Sequence, residues 1–169
     1  QAVATNPIVG GLLHASPVPV AMAPRNYRKS KFDTLASLSA AIGPRPGAQE
    51  IVLEAAEGVA RVGLPLDLVS LVSLKDDKQL HVDGFDEAER VLANAAKRIG
   101  ARADVTTQVG KGRSLKHAVK KLDWDERTAL MVGSSRLARG RTTFLGTSAT
   151  RMLAALPVPM IIVPRSDAR

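Results

Sequence analysis

Two kinds of hydrophobic pattern alternate along this chain. Short runs rich in Val, Leu and Ile predict buried strands, and stretches in which apolar residues recur every three or four positions predict amphipathic helices. The predicted strands are Leu35 to Ile42, Leu66 to Leu74, Ala103 to Val109, Thr128 to Val132 and Val158 to Val163. Strands that alternate with helices are typical of a doubly wound α/β protein, in which helices cover both faces of an open, five-stranded parallel sheet.

Each predicted helix has one apolar face. In the first helix this face comprises Ile51, Ala55, Val59 and Val62. The same spacing recurs at Ala88, Val91, Leu92, Ala95, Ala96 and Ile99, at Leu115, Ala118, Val119 and Leu122, and at Ala149, Met152, Leu153 and Leu156. Gly63 and Gly100 follow the first two helices and predict left-handed caps, and Asp83 or Asp86 is the candidate N-cap of the second helix.

The first part of the chain repeats its end. Residues 12–25, LLHASPVPVAMAPR, align without a gap to residues 152–165, MLAALPVPMIIVPR, and seven of the fourteen positions are identical. Chance similarity between two proline-rich corners is the alternative, but agreement at both the Pro-Val-Pro corner and the Pro-Arg exit favours repetition. We therefore expect residues 1–28 to be the last helix and strand of a preceding copy, with a linker, and residues 29–169 to form one complete domain.

Composition narrows the function classes. The 24 Lys and Arg residues exceed the 16 Asp and Glu residues by eight, which suits nucleic acid, an anionic small ligand or solubility alone. Aromatic residues make up 3% of the chain, which disfavours nucleic acid because single-strand binders stack bases on aromatic side chains. The chain has no cysteine, and it has no apolar run near the roughly 20 residues that cross a bilayer. We expect a cytoplasmic protein without a membrane partner.

Two loops that contain glycine follow predicted strands. In an open doubly wound sheet, ligands bind beyond the carboxyl ends of the strands, where the strand order reverses. One loop is GPRPG at 43–47, and the other is GSSRLARGRTTFLGT at 133–147. In the second loop, a glycine and hydroxyls at a helix start supply donors for an anion, and three arginines add positive charge. The alternative is that Thr147 or Ser148 only caps its helix and that the arginines face water.

The second loop resembles that of the universal stress proteins. It is not a Walker loop, because no Gly-Lys-Ser or Gly-Lys-Thr occurs in the chain. Nucleotide-binding members of the family carry glycine, two residues, glycine, nine residues, and then glycine followed by Ser or Thr. Gly133, Arg136, Gly146 and Thr147 stand at those positions here. The proline corner and final strand, LPVPMIIVP at 156–164, resemble the family as well, and the resemblance covers residues 31–165.

The resemblance implies an ATP site, with magnesium, in a Rossmann-like sheet of the adenine nucleotide α-hydrolase type. The implied nucleotide-binding residues are Ile42, Gly43, Pro44, Val72, Gly133, Ser134, Ser135, Arg136, Gly146, Thr147 and Ser148. Two departures from the family stand out. Arg136 replaces the second glycine of the motif, and the first strand ends Ala41, Ile42, Gly43 without the aspartate that contacts adenine in the family.

Other candidate chemistry is sparse. Three histidines adjoin neither a nucleophile nor a carboxylate pair, so we interpret them as surface residues: His14, His81 and His117. Asp76 and Asp77 could hold a metal weakly, but we interpret them as part of a solvated loop. A basic run with helical spacing predicts a solvated face in preference to a site for an anionic partner: Lys111, Arg113, Lys116, Lys120 and Lys121.

The residues leave two candidate functions. The first is a nucleotide-sensing module in a stress response, which binds ATP through a degenerate motif and is no enzyme beyond very slow hydrolysis, because the loops show no general base or magnesium carboxylate. The second is an interaction module with an empty crevice. In that case Val18 to Ala23 would lie antiparallel to Val158 to Val163, either in a homodimer or within one chain.

Overall fold

A computed structural model describes residues 11, 16–24, 27, 34–43, 50–74, 84–134 and 146–164. The strands are β1 Val20–Met22, β2 Ser37–Ala41, β3 Leu66–Ser73, β4 Val105–Gly112, β5 Thr128–Gly133 and β6 Met160–Val163. The helices are α1 Glu50–Val62, α2 Gly84–Ile99, α3 Leu115–Val119 and α4 Thr147–Leu153, and a 3₁₀ turn at Gly100–Arg102 follows α2. All five predicted strands are present, with β4 shifted toward the C-terminus of the chain.

The strands form one sheet in the order β1-β6-β5-β2-β3-β4. Strands β2 to β6 are parallel to their neighbours, and only β1 is antiparallel, to β6. Since β3 and β4 lie on one side of β2 and β5 and β6 on the other, the strand order reverses between β2 and β5. The predicted doubly wound parallel sheet is therefore confirmed.

Two hydrophobic clusters cover the sheet. Leu66 and Leu68 of β3 pack in one cluster with residues of α1 and α2, including Val59 and Leu92. Val69 of β3 packs in the other cluster, with residues of α3 and α4. Successive side chains of a strand thus pack on opposite faces of the sheet. Because both faces are covered by helices, the strand sequences are continuous apolar runs.

The helix ends follow the sequence in part. Gly63 and Gly100 have φ angles of +67° and +59°, a backbone conformation that suits glycine, so both predicted left-handed positions are confirmed. Asp86 is not an N-cap, because α2 begins at Gly84 and Asp86 lies inside its first turn. Asp83 lies outside the described residues.

Val62 is an exception to the helical period. It was predicted on the buried face of α1, but 66% of it is exposed. The period fixes the direction of a side chain around the helix axis, and does not fix whether the sheet extends that far along the axis. Val62 is the last residue of α1, directly before the turn at Gly63. The prediction for Val62 is wrong because the helical period gives no information on where along the helix its contact with the sheet ends.

Strand β1 covers the outer edge of β6. Val20 pairs with Ile162, Ala21 with Ile161 and Met22 with Met160. This is the antiparallel pairing predicted between the early segment and the last strand, and it is formed within one chain. Val18 lies before the strand and is 60% exposed. The side chains of Val20 and Met22 pack against the cluster that contains α3 and α4.

Two glycines in β4 allow α3 to approach the sheet. A Cβ atom added to Gly110 would lie 2.5 Å from the Ala118 carbonyl oxygen, and one added to Gly112 would lie 2.6 Å from the Ala118 nitrogen. Both contacts are with backbone, which cannot rotate away. The absence of two side chains therefore sets the spacing between β4 and α3.

We expect Gly110→Ala and Gly112→Ala each to lower the free energy of unfolding by about 1–3 kcal/mol, the usual cost of overpacking. Urea denaturation measures this change. Gly58→Ala is the matched control, since a Cβ there meets nothing within 4 Å and alanine in a helix interior is more stable than glycine by about 0.5–1 kcal/mol. Equal effects at positions 58, 110 and 112 would contradict the close approach.

Candidate functional site

The reversal of strand order brings the two predicted loops side by side. Strands β2 and β5 are parallel neighbours, with Ala40 opposite Met131. The chain leaves β2 at Ile42 and Gly43 and leaves β5 at Gly133 and Ser134, on the same edge of the sheet. We call the space between these two strand ends the crevice. It occupies the position at which open α/β sheets bind ligands.

The β2 side of the crevice has an apolar anchor. The N–H group of Ile42 donates a hydrogen bond to the Val69 carbonyl at 2.8 Å, and the residue is 2% exposed in the cluster beneath α1 and α2. The side chain of Ile42 is thus not available to a ligand. Gly43 is half-buried, and Pro44 lies outside the described residues.

The β5 side of the crevice ends in a glycine. Gly133 is exposed, its φ is not positive, and a Cβ added to it meets nothing within 4 Å. Neither backbone conformation nor packing against the described residues therefore requires glycine at this position. The Ser134 N–H donates to the Val163 carbonyl at 2.8 Å, which ties the strand end to β6. Ser135 and Arg136 lie outside the described residues.

Helix α4 begins at the end of the second loop. Gly146 occupies the N-cap position, and its carbonyl accepts hydrogen bonds from the Thr150 N–H at 3.0 Å and the Thr150 hydroxyl at 3.1 Å. The alternative that Thr147 or Ser148 caps this helix is wrong, because both lie within the helix. Ser148 is exposed. The hydroxyl of Ser148 is consequently not used as a cap.

Val72 lies beyond the end of β2. Ala41, the last residue of β2, is opposite Val69, so Val72 extends three residues farther along β3. It is half-buried and pairs with Lys111 of β4. Of the predicted site residues, the structure thus places Gly43, Val72, Gly133 and Ser134 at the carboxyl edge of the sheet.

His117 lies away from the crevice, beside edge strand β4. Its Nδ1 atom is 2.7 Å from the Ser114 hydroxyl, and the Arg113 Nε–H donates to its Nε2 atom at 3.3 Å. Because Nε2 accepts, Nδ1 carries the proton and donates to Ser114. His117 is therefore not arranged to remove the Ser114 proton. His14, His81, Asp76 and Asp77 lie outside the described residues.

One carboxyl that the sequence pattern did not single out lies at the opposite end of the sheet. Asp67, the second residue of β3, accepts hydrogen bonds from the Thr106 hydroxyl at 2.9 Å and from the Gln108 amide at 2.7 Å. Burial raises the pKa of Asp67 above its ordinary value of 3.8, although both hydrogen bonds lower it. The signal in the sequence was a single charge within an apolar strand, LDLVSLVS.

Within the described part of the chain, no group of three or more His, Cys, Asp or Glu residues could hold a metal ion. No helix within these described ranges is both long and apolar enough to span a membrane. The described residues at the ends of β2 and β5 contribute backbone groups and the Ser134 hydroxyl. The described carboxylate with a raised pKa in β3 is remote from the crevice.

We expect stability to depend on the titration of Asp67. Its raised pKa means that the folded state binds the proton more tightly than the unfolded chain, so its favourable contribution is present below pH 3.8 and is lost as pH rises through the folded pKa. Asp67→Asn should therefore become more stable relative to the original chain between pH 3 and pH 7, as measured by urea denaturation.

Gln108→Met gives the complementary test. It removes a hydrogen bond that lowers the Asp67 pKa, so the loss of stability with rising pH should extend to higher pH. An identical pH dependence in the original chain and in Asp67→Asn would contradict this assignment.

Comparison with known proteins gives one consistent result. No family model matches the chain. "Universal stress protein Rv2319c" of Mycobacterium tuberculosis is 27% identical in a match over 164 residues that covers 90% of this chain and 56% of that protein. The chain thus spans about half the length of the curated relatives it matches.

Solved structures agree with this sequence similarity. A universal stress protein from Archaeoglobus fulgidus has a TM-score of 0.58 and 21% identity, covering 93% of this chain and 53% of that one. A universal stress protein solved in complex with cAMP has a TM-score of 0.52 and 17% identity, covering 78% of this chain and 99% of that one. These likenesses support the fold of the described sheet and helices.

Proposed function

Because the chain belongs to the universal stress protein family, we propose that it is a nucleotide-sensing module of a stress response, which binds an adenine nucleotide in the crevice between β2 and β5. The observation that carries this proposal is the reversal of strand order, which brings the ends of β2 and β5, at Gly43 and Gly133, side by side at the carboxyl edge of the sheet. Among the described residues, no atom lies within 4 Å of a Cβ built at Gly133.

The groups around the crevice suit the polar parts of a nucleotide. Gly133 ends β5, and Gly146 and Ser148 stand at the start of α4. We infer that the start of α4 borders the crevice, where its backbone N–H groups and the Ser148 hydroxyl bind phosphate or ribose oxygens. ATP, with magnesium, is the ligand that the motif suggests. A relative of the same fold, solved in complex with cAMP, supports an adenine nucleotide as the ligand class.

The site departs from the family pattern at two positions, the end of β2, where the aspartate is missing, and Arg136, which replaces a glycine. With the Ile42 side chain packed in the core, we infer that the adenine is held by backbone groups near Gly43 and by contact with Val72. Arg136 contributes positive charge to the phosphates in place of a close backbone approach. We propose binding without rapid turnover, since neither loop sequence supplies a general base.

We expect calorimetric titration with Mg-ATP to show saturable one-to-one binding, and Gly133→Val to weaken it. A steric cost of about 1.4 kcal/mol lowers affinity about ten-fold, and a branched side chain in the crevice should cost at least that much. The urea midpoint of Gly133→Val should stay unchanged, because its Cβ meets nothing within 4 Å. Gly58→Ala is the control that should bind normally.

The variant Arg136→Gly tests whether the arginine holds phosphate or closes the site. Weaker binding by this variant supports a direct role of the arginine in holding phosphate. Binding by the glycine variant alone would mean that Arg136 closes the site, and absence of binding by every variant would contradict the nucleotide proposal.

We propose pairing of universal stress domains through β6 as a second function, on the basis of the antiparallel contact with β1. In this proposal residues 1–28 belong to a preceding copy, and residues 29–169 form the complete domain. The support comes from the sequence repeat, from relatives about twice as long as the matched region, and from a shorter relative that is covered almost completely by 78% of this chain.

Deleting residues 1–28 should uncover the edge of β6 and make the chain dimerise, because an unpaired apolar strand edge recruits another strand. Light scattering after size-exclusion chromatography measures the mass. Met22→Asp should act in the same direction, since Met22 packs against the core, and Ala21→Asp should not, since Ala21 is exposed. An unchanged mass after the deletion would contradict the pairing proposal.

A further inference from the structure

The sheet has a second edge, at β4, that no described strand covers. Strand β4 is eight residues long and pairs with β3 on one side only. At about 3.3 Å per residue, it offers roughly 26 Å of strand edge. A strand of this length with one open edge is a template for an added strand.

The register shows which backbone groups face outward. The Leu66 N–H donates to the Asp104 carbonyl at 2.8 Å, and the Leu74 N–H donates to the Gly112 carbonyl at 3.0 Å. Residues that bond to one neighbour alternate along a strand with residues whose N–H and C=O groups point the other way. Thr107 and Val109 therefore direct their backbone groups toward the open edge. No described strand lies on that side of β4.

A cleft of about 330 Å³ lies next to this edge, between β4 and α2. Its lining residues are Phe85, Glu89, Leu92, Ala93, Thr107 and Val109. Leu92 is 2% exposed and forms an apolar floor, whereas Ala93 and Thr107 are exposed at the rim. The side chain of an extended segment could therefore enter the cleft while its backbone pairs with β4.

Lys111 gives the groove a positive end. It lies two residues after Val109 on the same face of the strand, and its Nζ atom is 5.8 Å from the centroid of the Phe85 ring. The ion pairs among the described residues join Arg61 to Glu57 and Arg90 to Glu87, and neither uses Lys111. Among the described residues, this exposed cation has no carboxylate partner.

We propose that the β4 edge and the adjoining cleft form a docking groove for an extended acidic segment of a partner protein. The segment adds to the sheet beside β4, places an apolar side chain between Ala93 and Val109, and places a carboxylate next to Lys111. This interaction does not depend on nucleotide binding in the crevice, which lies on the far side of β3.

Other occupants fit the groove less well. The β4 sequence, VTTQVGKG, has no carboxylate, so a second copy of the strand would leave both Lys111 side chains without a charge partner. A nucleic acid has no peptide N–H and C=O groups, so it could not pair with the outward backbone groups of Thr107 and Val109. An acidic peptide satisfies the backbone groups, the apolar floor and Lys111 together.

A phage-displayed library of random octapeptides, selected on the intact chain, tests this proposal. Enriched peptides should alternate apolar residues with others and carry a carboxylate at one end. The most enriched peptide is then synthesised and titrated into the ¹⁵N-labelled chain, where the largest amide shifts should fall on Thr107, Val109 and Lys111. Selection of peptides whose shifts cluster at Gly133 or at β1 would overturn the assignment.

Charge variants test whether peptide binding depends on the groove or only on the positive charge of the chain. Lys111→Glu should weaken binding about ten-fold or more, and Lys116→Glu, an equal charge change on exposed α3, less than about two-fold. Thr107→Pro removes an outward N–H without breaking the β3 ladder and should weaken binding similarly.

Ala93→Trp fills the cleft from an exposed helix position, so it tests the groove without changing β4. It should abolish binding while the urea midpoint is retained. Full binding by the folded Ala93→Trp chain, equal losses at Lys111 and Lys116, or no enriched peptide would each overturn the proposal.

Discussion

The parallel pairing of β2 with β5 is the contact on which the rest of the structure depends. It places strands that are remote in the chain side by side at the centre of the sheet and sends the following strands outward in opposite directions. Parallel strands need crossover helices, and these helices cover both faces of the sheet, which explains the two hydrophobic clusters. The same pairing brings Gly43 and Gly133 to one edge. The position of the crevice is therefore a consequence of strand order.

The two outer edges of the sheet are treated differently. At β6 the early segment of the chain supplies β1, so that the last apolar strand is paired and Met160 and Ile162 are fully buried. At β4 the described structure supplies no further strand, and the edge carries Lys111, a residue type that disfavours uncontrolled edge association. Gly110 and Gly112 meanwhile draw α3 onto the opposite face of β4. The edge of β6 is thus covered by the short strand β1, which becomes the outermost strand on that side, and the longer edge of β4 carries a charged residue.

The described polar groups lie at opposite ends of the sheet. Ser134 is at the carboxyl edge beside the crevice, whereas the described carboxyl with the clearest hydrogen-bond network, Asp67, lies at the amino end. His117 is held by Arg113 and Ser114 beside β4, two strands away from the crevice. Backbone donors can hold an anion without any titratable partner, because their partial charges do not change with pH.

Local pattern determined much of this protein. The apolar runs located all five parallel strands, the glycines after α1 and α2 marked left-handed positions, and the repeat of LLHASPVPVAMAPR identified the strand that pairs with β6. These features depend on neighbours in the chain or on direct similarity, so the sequence alone contains them. The exposure of Val62, the burial of the Ile42 side chain, the raised pKa of Asp67 and the need for Gly110 depend on atoms from distant segments. Only the tertiary structure decided them, because burial and close approach depend on two surfaces in contact. A periodic pattern describes the surface of one element and not the surface that packs against it.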